Sequence, residues 1–243
     1  MPEDMFVNPV WHALQTRQRR FATYAGAACK YATDVAPFAA VGAPDAEASR
    51  QLYSLLAPGE VVYMMGEPPL EIPGLVLKGT LVGLQMVLAA RADAPPHPSA
   101  RESHAPGVPV SAHSIDICGL SCENAAEMVE LTTLAFPGYF RMRTCEMGSY
   151  YGVRIGGRLV SMAGERFAFD RYVEISGVCT HPEYTGRGYA AALITRLLLD
   201  HRRDGWLSCL HLSATNTRAK GLYERIGFVV NRDVRFHRVV RSE

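Results

Sequence analysis

No apolar run in the sequence reaches the roughly 18 residues that a membrane-spanning helix needs. The opening MPEDMFVNPVWH is acidic and has no apolar core of the signal-peptide kind, so a cytoplasmic protein is expected. No charge excess of one sign is present either. The 25 Lys and Arg residues nearly balance 24 Asp and Glu, for a formal net charge of +1, so no bulk field draws nucleic acid or an anionic membrane. The six cysteines, at 29, 118, 122, 145, 179 and 209, form no CxxC pair and have no His or Cys partner at zinc-like spacing. They read as six reduced thiols, and no metal site is expected. The GxxxxGK[ST] pattern of nucleotide P-loops is also missing. What is present is ordinary for a soluble globular chain: 243 residues, 48% hydrophobic and 20% charged, enough for one large domain or two modest ones with a real core.

Residues 89–114, AARADAPPHPSARESHAPGVPVSAHS, are rich in Ala, Pro, Ser and His with little apolar periodicity, as in a linker or long surface loop. They divide the chain into residues 1–90, a linker over 91–114, and residues 115–243. Before the linker ASRQLYSLLA (48–57) reads as a helix, and VVYMM (61–65) and LVGLQMVLA (81–89) read as strands. After it CENAAEMVELTTLAF (122–136) carries a helical apolar stripe that stops at Pro137. A hairpin around Gly156-Gly157, a further strand, a helix to about Asp200, a strand LSCLHLSAT (207–215), a helix over 216–226 and a closing strand follow. The element order after the linker is α, β, β, β, α, β, α, β.

The stretch HPEYTGRGYAAALI (181–194) sets two glycines between a strand and an apolar helical run. Glycine lets a large anion approach the backbone, and a helix starting there presents free N–H groups and the positive end of its dipole. A phosphate is the expected guest. The run Gly186-Arg187-Gly188-Tyr189-Ala190-Ala191 also matches the GxGxxA variant of the dinucleotide fingerprint. That reading wants an acidic residue about 20 positions on at the end of the next strand; Asp204 lies near that distance but precedes the strand.

VEISGVCTHPEYTGRGYAAALI (173–194) and NTRAKGLYERIGF (216–228) resemble, in this order and at this separation, two motifs of the GCN5-related N-acetyltransferases (GNAT), within them the FR47-like group. The resemblance covers about residues 115–240 and implies an α/β fold: a mixed twisted sheet with flanking helices. Residues 1–90 would be a smaller companion α/β half, a degenerate GNAT-like unit that completes the sheet or walls the cleft. It further implies acetyl-CoA as cosubstrate and direct transfer of the acetyl group to an amine. Backbone groups of Val178, Cys179 and Thr180, the loop Gly186, Arg187, Gly188, Tyr189, Ala190 and Ala191, and the side chains of Asn216 and Tyr223 would hold the cosubstrate. In the family's loop pattern the first position is Gln or Arg; here it is Thr185. Two alternatives remain beside this reading: a catalytically silent CoA-binding regulatory module, and a dinucleotide-dependent oxidoreductase.

Gly177 inside YVEISGVCT marks a bulge or a close backbone approach, either of which frees N–H groups. Around Val178 and Cys179 such groups would hold a developing oxyanion. Glu174 lies four residues before Val178 and, by analogy with family members that carry a base in this strand, is the candidate general base, with a pKa raised in a partly dry cleft. The other reading of Glu174 is a carboxylate paired to Arg154 or Arg166. Tyr223 follows Asn216 by seven residues, two helical turns, so both can face the cosubstrate; the resemblance makes Tyr223 the acid that protonates the leaving thiolate. Cys179 reads as a buried small hydrophobe and His181 as the end of its strand.

For the acceptor, FPGYFRMRT (136–144) offers Tyr139, Phe140 and Arg141. Arg141 and Arg143 would suit a carboxylate-bearing amine such as an amino acid or peptide end, or else form a surface pair. A small amine is the alternative acceptor.

Overall fold

The computed structural model describes residues 5–89 and 115–242. The linker assigned to 91–114 lies outside the described residues. The N-terminal segment opens with helix α1 (Pro9–Gln15), capped by the Asn8 side chain, which accepts from Trp11 N–H. Strands β1 (Ala22–Ala25), β2 (Ala28–Tyr31) and β3 (Ala39–Val41) form a small antiparallel sheet in the order β1-β2-β3. Helix α2 (Ala46–Leu55) is capped by Asp45, whose carboxylate accepts from Ala48 N–H at 2.7 Å. Strands β4 (Val61–Met65) and β5 (Leu75–Leu88) follow.

After the linker come β6 (Cys118–Leu120), α3 (Ala125–Ala135), β7 (Tyr150–Ile155), β8 (Arg158–Phe169), β9 (Tyr172–Thr180), α4 (Tyr189–Arg203), β10 (Leu207–Ser213), α5 (Thr217–Ile226) and β11 (Phe228–Arg241). The element order expected from the sequence is present, with β6 added in front.

All strands from β4 onward share one eight-stranded mixed sheet in the order β4-β11-β5-β10-β9-β8-β7-β6. The break at residue 90 therefore does not separate one sheet from another. Strand β5, from before the linker, pairs antiparallel with both β10 and β11 and lies between them. Pairing partners more than a hundred residues apart leave no local trace in the sequence, which is why composition alone suggests a division. Strands β1 to β3 and α1 are also not legible in the sequence; the strands are brief and weakly patterned, and α1 spans only seven residues.

Residues on opposite faces of the sheet enter different cores, as strand alternation requires. Ile175 of β9 and Leu210 of β10 join Leu193, Ile194 and Leu197 of α4 and Tyr223 of α5. The other face carries Phe167, Phe169 and Cys209, packed against Val10, Leu14, Tyr31 and Phe38 from the N-terminal elements. Burying five fully enclosed large aromatics, Tyr31, Phe38, Phe167, Phe169 and Phe228, stabilises this arrangement by roughly 2 to 3 kcal/mol each.

One expectation about cysteine is overturned. Cys122 and Cys145 are joined by a disulfide, with Cα atoms 5.5 Å apart. Their separation of 23 residues matches no short motif; the fold brings the start of α3 beside the turn that precedes β7. Cys29, Cys118, Cys179 and Cys209 are free thiols.

Candidate active site

Strands β9 and β10 run parallel and pair only from Tyr172–Ile175 against Leu207–Leu210. Beyond Ile175 they separate, and the β10-facing edge of β9 from Ser176 to Thr180 has no partner from that strand. The separation coincides with a bulge: Ser176 pairs with Gly164 and Cys179 with Met162, so Gly177 and Val178 stand opposite the single residue Ala163. Gly177 adopts φ +64°, a conformation that favours glycine. The expected gap and bulge are thus both present.

A cleft of about 500 Å³ opens at this gap. Its lining includes Val178, Cys179, Thr180, the whole loop from Thr185 to Ala191, Asn216 and Tyr223. Every residue proposed from the sequence to hold the cosubstrate borders this one cavity. Gly186 and Gly188 sit at φ +79° and +83°, and a Cβ added at either would meet no atom within 4 Å. Their glycines serve the backbone conformation, and the space beside them is open to a guest. None of the six N–H groups from Gly186 to Ala191 has a hydrogen-bond partner among the described residues, and Gly188 caps α4 without a side-chain bond. Six unpartnered donors at the positive end of a 15-residue helix are the donor set a pyrophosphate requires. Thr185, in place of Gln or Arg, turns its hydroxyl back to the Pro182 carbonyl at 3.1 Å. Arg187 stacks over Tyr184, 4.9 Å from the ring centre, and donates to the Glu183 carbonyl.

Asn216 caps α5, its Oδ1 accepting from Ala219 N–H at 3.1 Å. Tyr223 on the same helix is 8% exposed, and its hydroxyl has no hydrogen-bond partner among the described residues. Burial pushes its pKa up to about 12, so it stays protonated through the neutral range. Burial likewise raises Cys179 to about 12, which leaves no thiolate for acyl carriage. Asp204, the acid that a dinucleotide reading needs, is paired to Arg203 and does not line the cleft.

A second chamber, of about 670 Å³, meets the first at Val178, Asn216, Ala219 and Tyr223. Tyr139 and Phe140 line it; Arg141 does not. Arg143 is held by Glu146 and Asp34. The two arginines proposed for an acceptor carboxylate are therefore elsewhere, because the turn after α3 points its aromatics inward and its cations outward. The N-terminal segment also contributes to the wall, through Phe38 and Thr80–Gly83.

Glu174 departs from the expected raised pKa. It is fully buried behind this chamber, with Oε1 2.6 Å from Arg166 Nη2 and Oε2 2.9 Å from Arg166 Nε. His211 Nδ1 lies 2.8 Å from Oε1. Burial alone would raise the carboxyl, but the Arg166 guanidinium and the His211 imidazole outweigh it and hold the pKa at about 2. A carboxylate so engaged is a weak proton acceptor. Of the two readings of Glu174, the ion pair with Arg166 is the one the fold builds. His211 was not singled out from the sequence; it lies on β10 two residues past Cys209, the register partner of Glu174, and that placement depends on strand pairing.

The geometry has counterparts among known proteins. The FR47-like protein family model matches residues 150–237. A crystal structure of a GNAT-family acetyltransferase from Novosphingobium aromaticivorans is 32% identical, with 99% of this chain and 100% of that one aligned at a TM-score of 0.81. The chain belongs to the GNAT family. A GCN5-related N-acetyltransferase from Kribbella flavida shares the fold at 13% identity, with 96% and 93% of the two chains aligned and a TM-score of 0.56. No curated protein sequence matches the chain. Membership in the family supports an N-acetyltransferase activity on the GNAT fold. Among the described residues no helix is long and apolar enough to cross a membrane.

Proposed function

We propose that the chain transfers an acetyl group from acetyl-CoA to an amine by direct attack, and that it does so in the cytoplasm. The observation that carries this reading is the run of six unpartnered N–H groups from Gly186 to Ala191, in a cleft that ends at an unpartnered Tyr223 hydroxyl. When bound, acetyl-CoA supplies the thioester; all else is done by the protein. The glycine loop holds the pyrophosphate through backbone donors and the α4 dipole. The open edge of β9 from Ser176 to Thr180 holds the extended arm as a strand would be held. N–H groups at the Gly177–Val178 bulge stabilise the oxygen as negative charge develops on it.

Tyr223 donates its proton to the departing sulfur. Its hydroxyl stays protonated through the neutral range, so it can pass a proton to the sulfur as the carbon–sulfur bond breaks and regain one from water. Glu174 does not act as the base in this scheme; it fixes Arg166 and His211 in the chamber wall. The amine enters as its free base; the proton its nitrogen loses after attack passes to water, and water returns one to Tyr223, so the tyrosine ends as it began. The companion segment before the linker completes the sheet through β5 and walls the acceptor chamber through Phe38.

The test is calorimetric titration of acetyl-CoA into the protein, followed by release of free CoA thiol with a panel of amines. Acetyl-CoA binding with amine-dependent thiol release supports the enzyme. Binding without release, for every amine tried, supports a silent CoA-binding module instead.

A further inference from the structure

Resting on the acetyltransferase reading, we propose that the acceptor is a primary amine with an uncharged aromatic body, and that the chamber rejects amines bearing a carboxylate or a second cation. The walls carry the first half of this inference. Phe38, Phe136, Tyr139, Phe140, Phe236 and Leu212 surround a space of about 670 Å³, ample for one or two fused rings, and ring faces and edges favour a flat apolar guest. The chamber joins the cosubstrate cleft at Val178 and Tyr223, so the amine reaches the acyl centre there while its body extends toward Phe38.

Charge carries the second half. Arg166 is the one lysine or arginine among the lining residues, and no aspartate or glutamate lines the chamber. The Arg166 charge is already matched by Glu174 at two contacts, 2.6 and 2.9 Å. His211 adds none: Asn231 Nδ2 donates to Gln85 Oε1, which turns the Gln85 amide N–H toward His211 Nε2 at 2.9 Å, so that nitrogen accepts and Nδ1 donates to Glu174. The lining thus carries neutral polar groups, among them Thr80, Ser176, Ser213, Thr215 and Asn216, but no unmatched charge. The rings of Phe38 and Phe167, perpendicular to one another and centred 4.7 and 4.5 Å from the guanidinium carbon, pack against Arg166 and hold it in place. Its Nε and Nη2 are committed to Glu174, and Nη1 has no hydrogen-bond partner among the described residues. That nitrogen can donate to a neutral oxygen on the guest. An acceptor carboxylate there would meet the Glu174 charge in a low-dielectric wall, and a second ammonium would find no anion.

The experiment measures kcat/KM by CoA release from acetyl-CoA for phenethylamine and tryptamine against phenylalanine, tryptophan and spermidine. The neutral-bodied amines should exceed their amino-acid counterparts and spermidine by at least 100-fold; equal or reversed values overturn the proposal. Glu174→Gln should unmask the Arg166 charge and lower the phenethylamine to phenylalanine ratio at least tenfold. If both substrates slow together and the ratio holds, Glu174 acts in the chemistry and the charge-matching account is overturned. Should that variant not fold, Leu81→Lys, at an exposed position on the chamber mouth, should shift the ratio the same way at least threefold, and an unmoved ratio overturns the account. Acetyl-CoA binding by calorimetry separates the two levels. If it binds and no aromatic amine is acetylated, the acceptor proposal falls while the acetyltransferase reading stands. If it does not bind, that reading falls, and direct titration of phenethylamine against phenylalanine still decides the chamber's preference.

Discussion

Arg166 and Glu174 meet across β8 and β9 in a two-pronged ion pair, Nη2 to Oε1 at 2.6 Å and Nε to Oε2 at 2.9 Å, with the carboxylate wholly buried. The pair stands between the packed N-terminal aromatics and the chamber, so it serves the core and the site together. Breaking one partner leaves the other charge stranded. Arg166→Met should therefore destabilise the fold by about 3–5 kcal/mol in denaturant unfolding, and a loss near zero would contradict the pairing.

The same pair sets an acid dependence. Glu174 has a folded pKa of about 2, below its ordinary 4.5, so its contribution is complete above about 4.5 and drains away as pH falls toward 2. Wild type should lose more stability over that window than Glu174→Gln. Parallel acid curves for the two proteins would contradict it.

Tyr223→Phe should lower kcat by about 100-fold or more while leaving the affinity for acetyl-CoA within a few fold. Because burial raises the tyrosine to about 12, wild-type kcat should show no alkaline fall attributable to Tyr223 below that pH. Unchanged turnover in the variant removes the tyrosine from the acid role.

With Glu174 ionised and engaged throughout the neutral range, kcat/KM should rise with pH until the acceptor amine itself is deprotonated. Two acceptors of different amine pKa should then show inflections that differ accordingly. A single inflection between pH 5 and 8, common to all acceptors and absent in Glu174→Gln, would restore the carboxylate as base.

Much of this site was legible in the sequence because its components are local. The glycines at 186 and 188, the helix they open, and the seven-residue step from Asn216 to Tyr223 need no knowledge of distant chain, and they converge on one cleft. Gly177 announced its bulge for the same reason. What could not be read was set by pairing at long range. The sign of the Glu174 shift depends on Arg166 and His211, which reach it only through the register of β8 and β10. The placement of β5 between β10 and β11, and of Phe38 in the chamber wall, depends on how the segment before the linker folds over the sheet.

The Cys122–Cys145 disulfide was another long-range feature, and it gives a further expectation. It closes 23 residues and should contribute about 3 kcal/mol through the unfolded chain. Reduction, or Cys122→Ser, should lower the unfolding midpoint. Equal midpoints with and without reductant would contradict a formed bond.

The central claim is that the loop from Gly186 to Ala191 is a pyrophosphate cradle, and thermal unfolding with acetyl-CoA tests it most directly on wild type and Gly188→Trp. Open space beside Gly188 leaves room for the side chain, although its φ of +83° makes any replacement cost about 1–3 kcal/mol. At about 100 times its dissociation constant, acetyl-CoA should stabilise wild type by roughly 2.7 kcal/mol and leave the folded variant unmoved. An unshifted wild-type midpoint, or an equal shift in both proteins, would contradict the cradle.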